Sequence, residues 1–325
     1  MKEEEIRPSG LFDEYLSLAE RDARKYFEHS EKEDGRCPAC DSSGETAFEK
    51  FGFHYEVCPR CETLFVNPRP VFSAFAKFYT ESASSKFWAS DFYRETATAR
   101  REKLWKPKAK FIFDTLAKGH LDYNSIIDVG GGFGIFAEEF RSLTGVAPVV
   151  VEPSPALAQV CREKSLEVIQ KFLEDVCPSD LPSGPRVFVC FELFEHLHDP
   201  RYFLTCLIKL MASGDIFILT TLSGTGVDIQ ALWSNSKSVS PPHHLNFLNP
   251  RSVKILLTRV GFGVSSITTP GSLDLDILAN NINIIKDRFW HTFVKNSTDG
   301  ERKKWQKVLA DTGWSSHMMA VCLKP

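Results

Sequence analysis

From about residue 107 the chain alternates between two hydrophobic periods. Short apolar runs of strand length (SIIDV, PVVVE, LEVIQ, RVFVCF, DIFILTT) are separated by segments with helical spacing, among them GIFAEEFRSL, PSPALAQVCREK, EHLHDPRYFLTCLIKLM and PRSVKILLTRVGF. Strand–helix alternation of this kind predicts an α/β fold built on a largely parallel sheet. Later, VSSITT reads as a strand. A mostly helical stretch at about 272–314 follows, and HMMAVCL closes the chain as a last strand. That stretch reads as an insertion before the final strand, suited to covering a pocket or making a dimer contact.

The first hundred residues follow a different pattern. Residues 1–36 have helical spacing (Leu11, Tyr15, Leu18, Tyr26, Phe27) and many charges. Residues 37–70 hold two cysteine pairs around the β-like FEKFGFHYEV and end in NPRP. Residues 71–106 read as a Phe-rich helical connector, its Phe residues serving core or interdomain packing. Residues 107–325 then form the large domain.

Composition narrows the function little. The 325 residues carry a net charge of −3, with 43% hydrophobic and 25% charged residues. There is no overall basic field, so a general nucleic-acid binder is disfavoured. No secretory signal opens the sequence and no apolar run is long enough to span a bilayer, so we expect a cytoplasmic protein with no membrane partner. Nine cysteines is an odd count, which rules out complete internal disulfide pairing. Cys37-Pro-Ala-Cys40 and Cys58-Pro-Arg-Cys61 instead match the C-x2-C…C-x2-C spacing of a zinc site. Four thiolates close a tetrahedral shell, so the expected Zn2+ is structural and the module is a zinc ribbon.

The sharpest chemical signal is 126-IIDVGGGFGIFAEEF-140. Glycines between a strand and a helix let a ligand approach the backbone at the helix N-terminus. Gly132 to Ala137 also fits the dinucleotide pattern GxGxxG/A, but Asp128 at the strand end would repel a pyrophosphate and attract an ammonium group. Glu152, ending PVVVE, is placed to accept ribose hydroxyls, and Ser154-Pro155 reads as a helix start.

DVGGGFG, VVVEPS, FVCFELFEHLHDP and PPHHLNFLNPRSVKILLTRVGF together resemble class I methyltransferases that use S-adenosylmethionine (SAM), over roughly residues 107–270. The resemblance implies a seven-stranded Rossmann-like sheet with a reversed last strand. It assigns Asp128, Gly130, Gly131, Gly132 and Gly134 to the methionine part of SAM and Glu152 to the ribose. Phe172 and the residues to Asp175 would flank the adenine, and Phe191 and Glu192 would lie beside the sulfonium.

Glu192, Glu195 and His196 form an ExxEH segment that could hold a divalent cation in the active site. It resembles metal-assisted O-methyltransferases of quinone biosynthesis and of small-RNA ends. Structural hydrogen bonding by Glu195 and His196 is the competing reading. His243 and His244, in PPHHLNF, are candidate bases for an acceptor proton; helix capping and sheet packing are the alternatives. A ribbon ahead of such a domain resembles bacterial enzymes that methylate nucleotide-linked sugars, and others that methylate ribosomal RNA. We expect a methyltransferase acting on a small molecule, a sugar or nucleotide-sugar being favoured. An RNA methyltransferase or a non-catalytic SAM- or partner-binding protein is the alternative. A homo-oligomer stays open. The NPPY-type motif of adenine- and amide-N enzymes is absent after the fourth strand, where FELF stands.

Overall fold

The computed structural model describes residues 1–119 and 123–325. Its largest sheet has seven strands: β1 (Ser125–Val129), β2 (Val149–Val151), β3 (Glu167–Ile169), β4 (Arg186–Phe191), β5 (Ile216–Leu222), β6 (Gly263–Thr268) and β7 (His317–Leu323). Their spatial order is β6-β7-β5-β4-β1-β2-β3. β7 runs antiparallel to both β5 and β6, so it is the reversed strand the resemblance implies. β1, β4 and β5 are buried along their whole length, which explains their unbroken apolar runs: helices cover both faces. After β3 the chain crosses to the far side of β1 to make β4. Such a reversal opens a crevice at the C-terminal ends of the two strands, where ligands of open α/β sheets bind.

Helix α1 (Ser9–Phe27) and helix α2 (Phe72–Glu81) pack through Phe27, Phe75 and Phe78 against the ribbon residues Phe53 and Tyr55. A nearly continuous helical path then runs from Ala83 to Lys118, interrupted by π-helical turns at Trp88–Phe92 and Arg101–Trp105. The expected Phe-rich connector is thus helical; Phe75, Phe78 and Phe92 are buried, whereas Phe72 is exposed.

The cysteine ribbon is less separate than the sequence reading supposed. Glu45–Lys50, Phe53–Val57 and Leu64–Val66 form its meander, and a fourth strand, Asn246–Phe247, joins from the segment that follows β5. Asn249 Nδ2 donates to the Cys61 carbonyl at 2.8 Å, and Arg259 donates to the Ala39 carbonyl at 2.9 Å. The ribbon is therefore built from both parts of the chain.

The expected insertion between β6 and β7 contains helices Asp274–Asn280, Arg288–Asn296 and Asp299–Thr312. Leu275, Leu278, Val294 and Leu309 bury themselves against Val227 and Leu232 of the helix after β5.

Candidate active site

The glycine loop leaves the end of β1 with Gly130, Gly132 and Gly134 at φ +70°, +56° and +67°. L side chains avoid this region, and Gly134 has no room either: a Cβ would lie 2.7 Å from Leu166 and 2.9 Å from the Cys161 sulfur. A Cβ on Gly131 would approach Asp128 Oδ2 at 2.9 Å. The loop thus bends tightly around the Asp128 carboxylate, which is 2% exposed and has no hydrogen-bond partner for Oδ2. Burial, reinforced by the charge of Glu152 and opposed by Lys108, pushes Asp128 up to about 7. A buried carboxyl oxygen without a partner is satisfied by a proton or by a hydrogen-bond donor, and best by a cationic one. The ammonium group of SAM is such a donor, so the cradle fits that ligand.

Glu152 accepts from the Gly132 N–H at 3.0 Å and the Ser154 N–H at 2.9 Å, which ties the end of β2 to the loop. Its remaining lone pairs are available to hydroxyl donors. Ser154 caps the following helix, as its SerPro sequence predicts. Tyr93 stacks on Phe133 with centroids 3.4 Å apart, laying a helix across the mouth of the loop. Phe172 is 50% exposed and meets Phe72 edge-on, so it stands at the rim of the crevice. Phe191 is buried against Phe136 instead and forms part of the core under the site.

Glu192 follows β4 in the left-handed region at φ +51°. Its Oε1 accepts from Lys108 Nζ at 2.7 Å, Thr220 Oγ1 at 2.7 Å and His317 Nε2 at 2.8 Å. Burial alone would raise its pKa, but Lys108 and His317 outweigh burial and hold it well below the usual carboxylate range. Lys108 also lies over the Phe191 and Trp105 rings. Lys108 and His317 escaped the sequence reading because they come from a helix before β1 and from the final strand. No local motif joins them to Glu192.

Of the predicted trio Glu192, Glu195 and His196, the structure brings only Glu195 and His196 together, and Glu192 is outside the cluster. The donor atoms that converge belong to Glu195, His196 and His244, all within 4.8 Å of one another. The ExxEH segment forms a short 3-10 turn, Phe194–His196, rather than an α-helix, so helical spacing does not bring Glu192 round to Glu195. Glu195 is 2% exposed and Oε2 accepts from Thr221 Oγ1 at 2.8 Å. Burial, and then the charge of Glu192, pushes Glu195 up to about 8. Burial pushes His196 down to about 4 and His244 down to about 3. Both imidazoles are therefore neutral at pH 7. His244 Nδ1 lies 2.6 Å from the Ser238 carbonyl, which only accepts; Nδ1 thus carries the proton and Nε2 keeps its lone pair.

His243 turns the other way. It is 5% exposed, lies 3.1 Å from Ser84 Oγ through Nε2 and packs against Phe78 and Tyr15. Burial holds it well below its usual value. The near-neutral pKa expected of the His pair is thus absent from both residues. Neither caps the helix Pro250–Val260, because Asn249 does so itself.

Cys37, Cys40, Cys58 and Cys61 bring their sulfurs together in one buried cluster, with Cys37–Cys61 at 3.4 Å and Cys40–Cys58 at 3.3 Å. The donor set fits a closed tetrahedral thiolate shell. The ribbon also reaches the histidine segment: Tyr55 donates to the His244 carbonyl at 2.6 Å, and the Val66 N–H donates to the Leu245 carbonyl at 2.9 Å.

A reversed seventh strand, a glycine cradle around Asp128 and an acid closing β2 define a class I methyltransferase fold. Residues 93–267, more than half of the chain, match the family described as "Methyltransferase domain", and the chain belongs to that family. It is 31% identical over 109 residues to the "Ubiquinone biosynthesis O-methyltransferase, mitochondrial" of Schizosaccharomyces pombe, covering 31% of this chain and 38% of that protein. It is 28% identical over 162 residues to the "Ubiquinone biosynthesis O-methyltransferase" of Xanthomonas oryzae pv. oryzae, covering 45% of this chain and 66% of that one. The chain thus spans less than two thirds of the length of either relative. Among solved structures it resembles the plantazolicin methyltransferase BpumL in complex with SAH. The TM-score is 0.50 at 13% identity, over 77% of this chain and 93% of that one, a likeness of fold. Among the described residues no helix is long and apolar enough to cross a membrane.

Proposed function

We propose that the chain transfers the methyl group of SAM to a hydroxyl of a small-molecule acceptor, with Glu195, His196 and His244 as the reactive cluster. The observation that carries this reading is the convergence of those three donors, two of them in the turn that follows Glu192 and Leu193, whose side chain lies against Gly130 of the glycine loop. The names of the curated relatives support an O-methylation of a small molecule. They lend no support to the sugar or nucleotide-sugar favoured from sequence.

Bound SAM supplies a methyl group on a sulfonium, which is a good leaving group. Asp128 and the loop backbone hold the ligand's amino-acid end, and Glu192, fixed by Lys108 and His317, places a negative charge at the end of β4. The acceptor proton needs a base. Raised to about 8, Glu195 is mostly protonated at pH 7, and the carboxylate it forms as pH rises is a stronger base than either neutral imidazole. One carboxylate and two neutral imidazoles also suit a divalent cation, which would lower the pKa of a ligated hydroxyl. Glu195, His196 and the free Nε2 of His244 would hold it. Zn2+ in the four-cysteine cluster has a structural role in this scheme.

The test uses SAM labelled in its methyl group, the purified full chain and a cell extract split into small-molecule, RNA and protein fractions. Label is expected in the small-molecule fraction and is expected to fall at least about tenfold in Glu195→Gln and in His244→Gln. Label confined to RNA or protein, or variants with undiminished turnover, would sink the reading. Restoring turnover with Mn2+ or Mg2+ after chelation separates the cation-dependent route from the cation-free one.

A further inference from the structure

The insertion before β7 carries a surface that the catalytic reading does not use. Phe289 is 60% exposed, Trp305 45% and Val308 49%. They form one patch: Phe289 and Phe293 lie 6.3 Å apart, Phe293 and Trp305 5.4 Å apart, and Val308 follows Trp305 by one helical turn. Arg288, Phe289, Thr292 and Phe293 line a shallow trough of about 550 Å³. The opposite faces of the same two helices bury Val294 and Leu309, so the elements have a core side and a separate apolar outer side.

Charge distinguishes this patch. Residues 284–308 carry seven Lys/Arg and three Asp/Glu, within a chain of net charge −3. The three acids are already engaged. Asp287 caps the Trp290 N–H at 2.8 Å, Asp299 pairs with Arg302 and Lys2, and Glu301 closes a capping box with Thr298. Lys286, Arg288, Lys295, Lys303, Lys304 and Lys307 are exposed, and among the described residues none has a carboxylate within ion-pair distance. Lys303 faces Met1, Lys2 and Glu5 instead. Arg288 lines the trough itself, and Lys304 and Lys307 neighbour Trp305 and Val308 along their helix. Cations thus stand beside the exposed Phe, Trp and Val side chains and make a cationic, apolar face.

We propose that this face docks on an anionic lipid surface, lying on the membrane without crossing it. Lys and Arg reach anionic headgroups while their stems cover apolar surface, and the aromatic and aliphatic side chains enter the headgroup–acyl boundary. A second copy of the same face is disfavoured because the cations would meet their own kind across a two-fold contact. Nucleic acid would use the phosphates, but Phe293 is already engaged edge-on by Trp305, and Val308 has no stacking face to offer a base. β6 runs parallel to β5, because both are antiparallel to β7; the insertion therefore leaves the sheet at the same end as the glycine loop. Docking would place the acceptor side of the site beside the lipid. Docking of this kind needs no spanning segment, so the lack of one, from which no membrane partner is expected, does not bear on this face.

The test is co-sedimentation of the purified full chain with vesicles of phosphatidylcholine, alone or with about 30% phosphatidylglycerol. We expect at least about tenfold more binding to the anionic vesicles, falling with added salt. Lys304→Glu and Lys307→Glu are each expected to weaken it about fivefold, and Phe289→Ser to weaken it at any salt concentration. These positions are exposed, and unchanged thermal unfolding will show that the variants fold. Equal binding to both vesicle types, or none, would overturn the proposal. Loss of bulk tRNA binding in the same variants, with vesicles ignored, would assign the face to nucleic acid. A dimer-to-monomer shift in Phe289→Ser by light scattering would assign it to a second copy.

Discussion

Asp128 is a carboxylate whose environment disagrees with its charge until a cation arrives. Burial raises it to about 7 and Oδ2 finds no donor. A bound ammonium group lowers that value, so ligand binding is linked to proton release. The affinity for SAH is therefore expected to rise with pH up to about 7 and level off above it, with a slope approaching tenfold per unit below. Calorimetric titration between about pH 5.5 and 8.5 measures this. Asp128→Asn is expected to flatten the profile and cost roughly tenfold to a hundredfold in affinity at high pH, the value of a charge-assisted hydrogen bond. A pH-independent affinity in the native protein would remove Asp128 from ligand binding. Asp128, the glycines, Glu152 and the four cysteines were all legible in the sequence because each belongs to a local pattern: strand–Gly–helix, strand end, or paired CxxC. The trio Glu195, His196 and His244 was legible only in part. It depends on a 3-10 turn replacing an α-helix and on one imidazole of an adjacent pair turning inward, and backbone geometry decides both.

Among the elements, the ribbon has the least expected connections. Cysteine spacing announces four thiolates but says nothing about the partner of the last ribbon strand. Asn246–Phe247 pairs with it as a two-residue, fully buried strand that covers an edge otherwise left open. The Tyr55 hydroxyl then holds the His244 carbonyl at 2.6 Å. Tyr55→Phe keeps the buried ring and removes one hydrogen bond, so about 1 kcal/mol of stability is expected to be lost. The larger effect is expected in methyl transfer, since His244 loses its backbone anchor while the SAM cradle is untouched. SAH affinity unchanged with turnover lowered is the predicted signature, read by parallel titration and label transfer. The sheet itself was largely legible: the alternating runs named each strand, and the reversed last strand followed from the family resemblance. The pairing of 246–247 with the ribbon carries no such periodic signal.

At the scale of the molecule, the insertion is pinned to the large domain through a pair of acids. Asp274 accepts from Gln306 Nε2 at 2.6 Å, Ser315 Oγ at 2.6 Å and the Ser316 N–H at 2.6 Å. Asp228 lies beside it, fully buried, with no hydrogen-bond partner for either oxygen. Burial, and then Asp274, pushes Asp228 well above the usual carboxylate range. An acid raised on folding costs no stability below the unfolded value of about 3.9 and progressively more as pH climbs from there to the folded value. Asp228→Asn removes that cost and offers Asp274 a donor. It is expected to raise the unfolding temperature at about pH 8 by a few degrees and to have little effect at about pH 4, as thermal scans at the two values will show. The shared strand of the ribbon has a further consequence. Leu64 comes three positions after Cys61 and pairs with Phe247, itself three positions after His244. Stripping the thiolate-bound metal, or oxidising those sulfurs, would slacken the strand that anchors the reactive histidine. Methyl transfer is expected to fail before SAM binding does, in a chelator or peroxide titration that follows both. A module that looks like scaffolding would then make the output of the domain answer to the zinc and thiol state of its surroundings.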